Sequence, residues 1–309
     1  MTKVTFPPNL KIVIEKVITD ELINHIPTTA WANHVASKLE GGIFKEETKN
    51  FHRKVILGQG QSDFRNEFEG LTTDDKALLY LFYYFQMHFT SSVALFYQNQ
   101  PFFNNVFLTS KRILFIDIGC GPYTSGFAFL YYTRLLGVSE ILTPLVGGTQ
   151  LEYYAFDNAD SIQNLGARLL TAYETAENDG LFHFQTKTQY SDFKDIPSLI
   201  TDADSETSII LNCCYFFASK TIDITTFVTS IQSLLDNNPK AKILLLYQNP
   251  ADYTGEISQN FINFKQAIKG LKSESGKIAG LRYSYDDEFK STNWATLKLT
   301  LNFEILKNY

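Results

Sequence analysis

The sequence predicts an α/β protein whose C-terminal part is a mostly parallel sheet with helices on both faces. Three observations carry this. From Lys111 onward, strand-like apolar runs alternate with helix-like segments, the pattern of strands joined by crossover helices. The first run, Ile113 to Ile118, passes straight into a glycine-rich bend, Gly119-Cys120-Gly121-Pro122, where glycine supplies backbone conformations that other residues resist. The last run, Ala295 to Ile305, alternates apolar and polar residues, as a strand with one exposed face does.

Composition narrows the function. A chain of 309 residues has room for one large domain or two ordinary ones, and a hydrophobic fraction of 44% suits a globular core. The formal net charge of -6 provides no overall basic field to gather nucleic acid or an anionic membrane. Cys120, Cys213 and Cys214 form neither a metal-ligand cluster nor a disulfide framework, so a reducing cytoplasm is expected and no metal site. Met1 to Leu10 lacks a positive stretch followed by an apolar one, and no signal peptide is read.

Residues 1–110 are expected to form a helical cap or substrate region, and residues 111–309 the sheet domain. Val13 to Val35 has roughly helical spacing interrupted at Pro27, with Thr28 or Thr29 able to cap a second helix before Trp31. Lys45 to Asn50 reads as a charged exposed stretch and Gly58 to Ser62 as a loop. Thr72-Thr73-Asp74-Asp75 has the hydroxyls and carboxylates of a helix start, and the helix should run to about Tyr97. Leu78 to Tyr97 is as long as a membrane span, but Gln86, His88, Thr90, Ser91 and Ser92 near its middle are costly in lipid. It is read as a buried helix, its aromatics Phe82, Tyr83, Tyr84, Phe85 and Phe89 mostly core, and His88 a hydrogen-bonded core histidine with a catalytic base as the alternative.

The bend names a cofactor class. In Asp117-x-Gly119-x-Gly121-Pro122-x-Thr124-x-Gly126, Phe127 and Ala128 stand where a phosphate-binding loop needs lysine and a hydroxyl. Thr124 stands where a dinucleotide fingerprint wants glycine, and Asp117 would repel a pyrophosphate while suiting a cationic amino-acid group. The stretch resembles motif I of the class I, Rossmann-like S-adenosylmethionine-dependent methyltransferases. The resemblance implies a mostly parallel seven-stranded sheet ending in an antiparallel hairpin. It also implies that Gly119, Cys120 and Gly121 meet the amino-acid part of S-adenosylmethionine, with Asp117 positioning the turn or the ammonium, and that Pro122 and Thr124 belong to the cofactor site. A helical cap over the cofactor, as in this family, would place a minority of the aromatics between Leu78 and Tyr97 on the wall of an acceptor pocket.

Later segments follow in the order such a fold requires. Leu151 to Asp157 is the second strand, and its terminal carboxylate, followed by Asn158, matches the family's ribose-binding acid. Asp157 lies 36 residues beyond Gly121 against about 20 in the usual dinucleotide fold, which implies an insertion around Val138 to Gln150. Glu140 has the usual spacing but no strand leads into it. Phe182 to Gln189 is the third strand, and Ser191-Asp192-Phe193 resembles the family's adenine-binding motif, with an ordinary polar turn as the alternative. Ile209 to Phe217 is the fourth strand and its exit. Within it, Asn212-Cys-Cys-Tyr215 shares its first and last residues with the Asn-Pro-Pro-Tyr motif of amino-group methyltransferases. Both prolines are absent, so Asn212 and Tyr215 are candidates to face the acceptor or merely to line its cavity, with Asn212 also a candidate to contact the cofactor. Ala241 to Tyr247 is the fifth strand, Gln248 to Tyr253 a loop, Phe261 to Leu271 a helix, and Ile278 to Tyr285 the sixth strand, joined by the Asp286 to Asn293 loop to the last.

The reaction implied is direct methyl displacement onto a small-molecule acceptor. A nucleic-acid or protein amino-group methyltransferase and a non-catalytic scaffold are the other readings.

Overall fold

The computed structural model describes residues 2–23, 29–35, 39–40, 43–60, 63–137, 149–177, 184, 186–201, 203–219, 221–250, 258–287, 289 and 296–309. Its strands are β1 (Thr2–Lys3), β2 (Leu39–Glu40), β3 (Ile43–Phe44), β4 (Arg112–Ile118), β5 (Gln150–Phe156), β6 (Thr186–Tyr190), β7 (Thr207–Cys214), β8 (Lys242–Pro250), β9 (Lys272–Ser273), β10 (Ala279–Asp286) and β11 (Thr296–Lys307). The helices are α1 (Pro8–Val17), α2 (Thr29–His34), α3 (Glu46–Phe51), α4 (Thr73–Gln98), α5 (Gln100–Leu108), α6 (Thr124–Gly137), α7 (Asp160–Glu177), α8 (Ile196–Leu199), α9 (Ile224–Asn237) and α10 (Gln259–Ala267).

The main sheet runs β6-β5-β4-β7-β8-β11-β10-β1, with β9 beside β11. Pairs β4–β5, β4–β7, β5–β6 and β7–β8 are parallel, and β11 is antiparallel to both neighbours. This is the Rossmann-like, mostly parallel sheet with a C-terminal antiparallel hairpin that the sequence predicts, with nine strands among the described residues rather than seven because the short β1 and β9 pair with β10 and β11. Successive residues of β4 face opposite sides. Ile113 and Phe115 join the core under α4, α6 and α7, whereas Leu114, Ile116 and Ile118 join the one under α9 and α10. Strand order reverses between β4 and β7, so their carboxyl ends flank the crevice where such sheets bind ligands.

Helix α4 lies within the first core. Thr72 and Asp75 close a reciprocal cap at its start: Asp75 N–H donates to Thr72 Oγ1 at 3.1 Å and Thr72 N–H to Asp75 Oδ2 at 2.9 Å. Residues Leu78 to Phe85 and Phe89 are buried, and hydroxyls in its middle bond back to the helix, Thr90 to Gln86 O at 2.8 Å and Ser91 to His88 O at 2.8 Å. Among the described residues no helix is long and apolar enough to cross a membrane.

Several boundaries differ from expectation. The first helix begins at Pro8 and passes at Ile18–Ile23 into a wider turn; Pro27 and Thr28 lie outside the described residues. Lys45 to Asn50 is not merely an exposed stretch, because Glu46 and Glu47 occupy the first turn of α3, where carboxylates offset the helix dipole. Gln248 to Pro250, read as loop, extend β8 through pairing with β11. In β11 the alternation stops at Phe303, and the strand is buried through Leu306 because β8 pairs along it. Residues 138–148 of the insertion, with Glu140 among them, and most of the Asp286 to Asn293 loop lie outside the described residues, as do Phe182, His183 and Gln185 at the start of the third strand.

Candidate functional site

At the carboxyl ends of β4, β5 and β7 lies a cavity of about 670 Å³. Gly119, Cys120, Gly121, Pro122 and Thr124 line it from the bend after β4, Asp157 and Asn158 from the end of β5, Asp192 and Phe193 from beyond β6, and Tyr215 from the end of β7. Gly119 has φ +68° and Gly121 φ +52°. A Cβ on Gly119 would also meet Phe216 Cδ2 at 3.2 Å, so glycine is required there twice over.

The bend is held by the strand beside it. Gly119 N–H donates to Phe156 O at 2.7 Å, Cys120 N–H to the same oxygen at 3.1 Å, and Gly121 N–H to Asp157 Oδ2 at 3.1 Å. Asp157 Oδ1 accepts from Ala159 N–H at 3.2 Å. Burial raises the Asp157 pKa to about 6, against the lowering by these amides. Beyond the bend, α6 opens at Thr124, only 4% exposed, whose Oγ1 has no hydrogen-bond partner. The first N–H groups of a helix have no intrahelical acceptor either; of those in α6, Gly126 N–H donates to Asp117 behind the bend.

Asp117 and Asn212 are not among the lining residues. They pair across β4 and β7, and Asn212 Nδ2 donates to Asp117 Oδ1 at 2.8 Å while Tyr153 Oη donates to Oδ2 at 2.9 Å. With 1% and 2% exposure, they lie behind the bend, where Asp117 also accepts from the Gly126 amide and the Asn212 amide is engaged by Asp117. Burial raises the Asp117 pKa to about 6. Gly126, the last glycine of the motif, packs behind the bend as well: a Cβ there would lie 2.7 Å from the Tyr153 ring.

Asp192 caps its own turn, with Oδ1 accepting from Lys194 N–H at 2.9 Å, and still borders the cavity. Phe193 packs edge-on against Phe227 at 5.3 Å. Tyr215 takes φ +60°, a strained value for a bulky side chain. Its ring stacks on His88 at 3.8 Å and its hydroxyl donates to Ser91 Oγ at 3.0 Å. Cys213 and Cys214 are buried free thiols.

An aromatic wall from the helices before the sheet is expected from the sequence, but apart from His88 the residues that form it are not the ones the sequence singles out. Asp63, Phe64, Arg65, Tyr80 and His88 line the cavity, as do Thr221, Ile222 and Asp223 after β7. A signal existed: Tyr80, Tyr84 and His88 recur every four residues and so share one helix face, with centroids 5.0 and 5.8 Å apart along the row. His88 is hydrogen-bonded as expected, its Nδ1 3.2 Å from Tyr80 Oη, but it borders the cavity too.

No family model matches the chain, and no curated protein matches it. Solved structures that resemble it include precorrin-6y C5,15-methyltransferase from Geobacter metallireducens GS-15, at 10% identity, covering 68% of this chain and 86% of that one with a TM-score of 0.38. Magnesium protoporphyrin IX methyltransferase from Synechocystis PCC 6803 with bound SAM aligns at 10% identity over 85% of this chain and 96% of that one, TM-score 0.37. An rRNA methylase from Streptococcus thermophilus aligns at 9% identity over 67% and 93%, TM-score 0.34. Likenesses this distant assign no activity, and the Rossmann-like arrangement rests on the strand order of the chain itself.

Proposed function

We propose that the chain is an S-adenosylmethionine-dependent methyltransferase acting on a small-molecule acceptor. One observation carries the reading: a single cavity at the reversal of strand order gathers a glycine bend, a strand-end carboxylate and the unpartnered, buried Thr124 hydroxyl. These residues fit the donor. Thr124 and the N-terminus of α6 would receive its carboxylate. A carboxylate has about four acceptor positions, so Asp157 keeps capacity for ribose hydroxyls beyond its bonds to Gly121 and Ala159. Asp192 and Phe193 would border the adenine, and Tyr215 the acceptor.

Bound there, the donor supplies a methyl group already activated by its sulfonium. The chain then has to align acceptor and methyl and keep water out. Tyr80, Phe193, Tyr215 and Phe216 supply apolar walls for that purpose. A volume of about 670 Å³ is within the range of about 300–1,000 Å³ for small-molecule sites, which supports a small acceptor over a nucleic acid or protein.

Calorimetric titration with S-adenosylmethionine tests the reading. Binding is expected, weakened at least tenfold by Asp157→Ala, since hydrogen bonds to a charged group contribute about 1.5–3 kcal/mol. Absence of binding, or binding indifferent to that substitution, would favour a scaffold without turnover.

A further inference from the structure

The cavity extends past the residues assigned to the donor, and its remaining wall has its own chemistry. Tyr80 begins that wall: a Cβ on Gly121 would meet its ring edge at 3.8 Å, so the wall starts where the glycine bend ends. Phe64 packs edge-on to Tyr80 at 5.2 Å, Tyr80 to His88 at 5.8 Å, and His88 lies flat on Tyr215 at 3.8 Å. Polar groups fix these rings from behind. Tyr80 Oη meets His88 Nδ1 at 3.2 Å, and Ser91 Oγ accepts from Tyr215 at 3.0 Å and from Gln248 Nε2 at 2.6 Å. Four aromatic rings held in one continuous row favour a flat aromatic ligand, whose ring edges and faces match theirs.

Charge narrows the ligand further. Among the described residues, four aspartates line the cavity, Asp63, Asp157, Asp192 and Asp223, against Arg65 and Lys194. Both cations are already engaged: Arg65 grips Asp63 through Nε at 2.9 Å and Nη2 at 2.8 Å, and Lys194 Nζ lies 3.5 Å from Asp192. The Arg65 guanidinium holds the Asp63 pKa down at about 2, and hydrogen bonds from Thr226 lower that of Asp223. Among the described residues that leaves Asp157 and Asp223 without a paired cation, so an incoming anion would meet a net negative wall there.

We propose that the acceptor is a planar aromatic molecule without net negative charge, bearing a nucleophilic nitrogen or oxygen and selected by the row Phe64, Tyr80, His88 and Tyr215. This rests on the methyltransferase reading. In the transfer, the acceptor's lone pair forms the new bond to the methyl carbon, the carbon–sulfur pair returns to sulfur, and the acceptor's proton leaves to solvent.

The test is ligand-observed NMR titration of 2-naphthol, 2-naphthylamine and 2-naphthoate, with and without S-adenosylhomocysteine. The neutral probes should bind at least tenfold more tightly than naphthoate, and Tyr80→Ala should weaken them tenfold or more. Phe64→Ala, a half-buried loop residue outside the helical core, should weaken them at least threefold with S-adenosylhomocysteine affinity held within threefold. Preference for naphthoate, equal binding of all three, binding of none, or indifference to both substitutions would overturn the proposal. Failure of S-adenosylhomocysteine alone to bind would instead sink the donor reading, while the probe series still decides the character of the wall.

Discussion

Two carboxylates near the ends of neighbouring strands do different work. Asp157 borders the cavity, whereas Asp117 sits behind it, held by Asn212 and Tyr153. For a buried acid whose pKa rises to about 6 from 3.8, the folded state binds the proton more readily than the unfolded chain. Stability from this group is therefore lost as pH rises from about 4 to 6 and stays lost above. Asp117→Asn lacks the effect, so its stability relative to the native protein should improve by on the order of 2–3 kcal/mol between pH 4 and 7. Urea unfolding of both proteins across that range measures it, and a difference that does not change with pH would refute it. The sequence showed both acids as cofactor candidates because strand position was visible. It could not show that Asn212 occupies the register position opposite Asp117 and donates to it.

At the scale of elements, β4, the bend and α6 were legible because apolar period, glycine and helix start fall within a few residues of each other. The reason for Gly126 was not. It lies in the first turn of α6, and its close neighbour is Tyr153 on β5, with ring atoms 2.7 Å from where a Cβ would be. Gly126→Ala must displace that ring or tilt α6, and overpacking of this kind costs about 1–3 kcal/mol. The displacement would also disturb the 2.9 Å bond from Tyr153 to Asp117. Chemical denaturation should show the loss, together with a steeper decline in stability from pH 4 to 7, since Asp117 would lose a donor that lowers its pKa. An unchanged midpoint would mean that the ring moves without cost. Elements lacking such local agreement were harder to read. Helix α3 buries none of its residues and combines charge placement, with Lys49 3.8 Å from Glu46 one turn away, with the stacking of Phe51 on His34, and β6 is a half-exposed edge of five residues.

At the scale of the molecule, the cap and the sheet share one hydrophobic core. Val4, Leu10 and Trp31 belong to the same buried cluster as Phe127, Tyr173 and Leu246. Strand β1 extends the sheet by pairing Thr2 with Tyr283 and Lys3 with Ser284, and Lys3 Nζ meets Asp286 Oδ2 at 2.7 Å. Nothing periodic in two residues signals a partner so far along the chain, which is why a boundary near residue 110 looked natural from sequence. Helix α4 contributes both the core under α6 and α7 and the cavity wall at Tyr80 and His88, so cavity and fold depend on the same helix. Unfolding should accordingly be a single transition, with circular dichroism, fluorescence and loss of donor binding coincident. A chain beginning at residue 110 would expose Phe127 and Phe129 where they pack on Phe85 and Phe96 of α4, and should neither unfold cooperatively nor bind S-adenosylhomocysteine. A shortened chain that melts sharply and retains that affinity would show instead that the sheet stands alone and that the helical region serves the acceptor only.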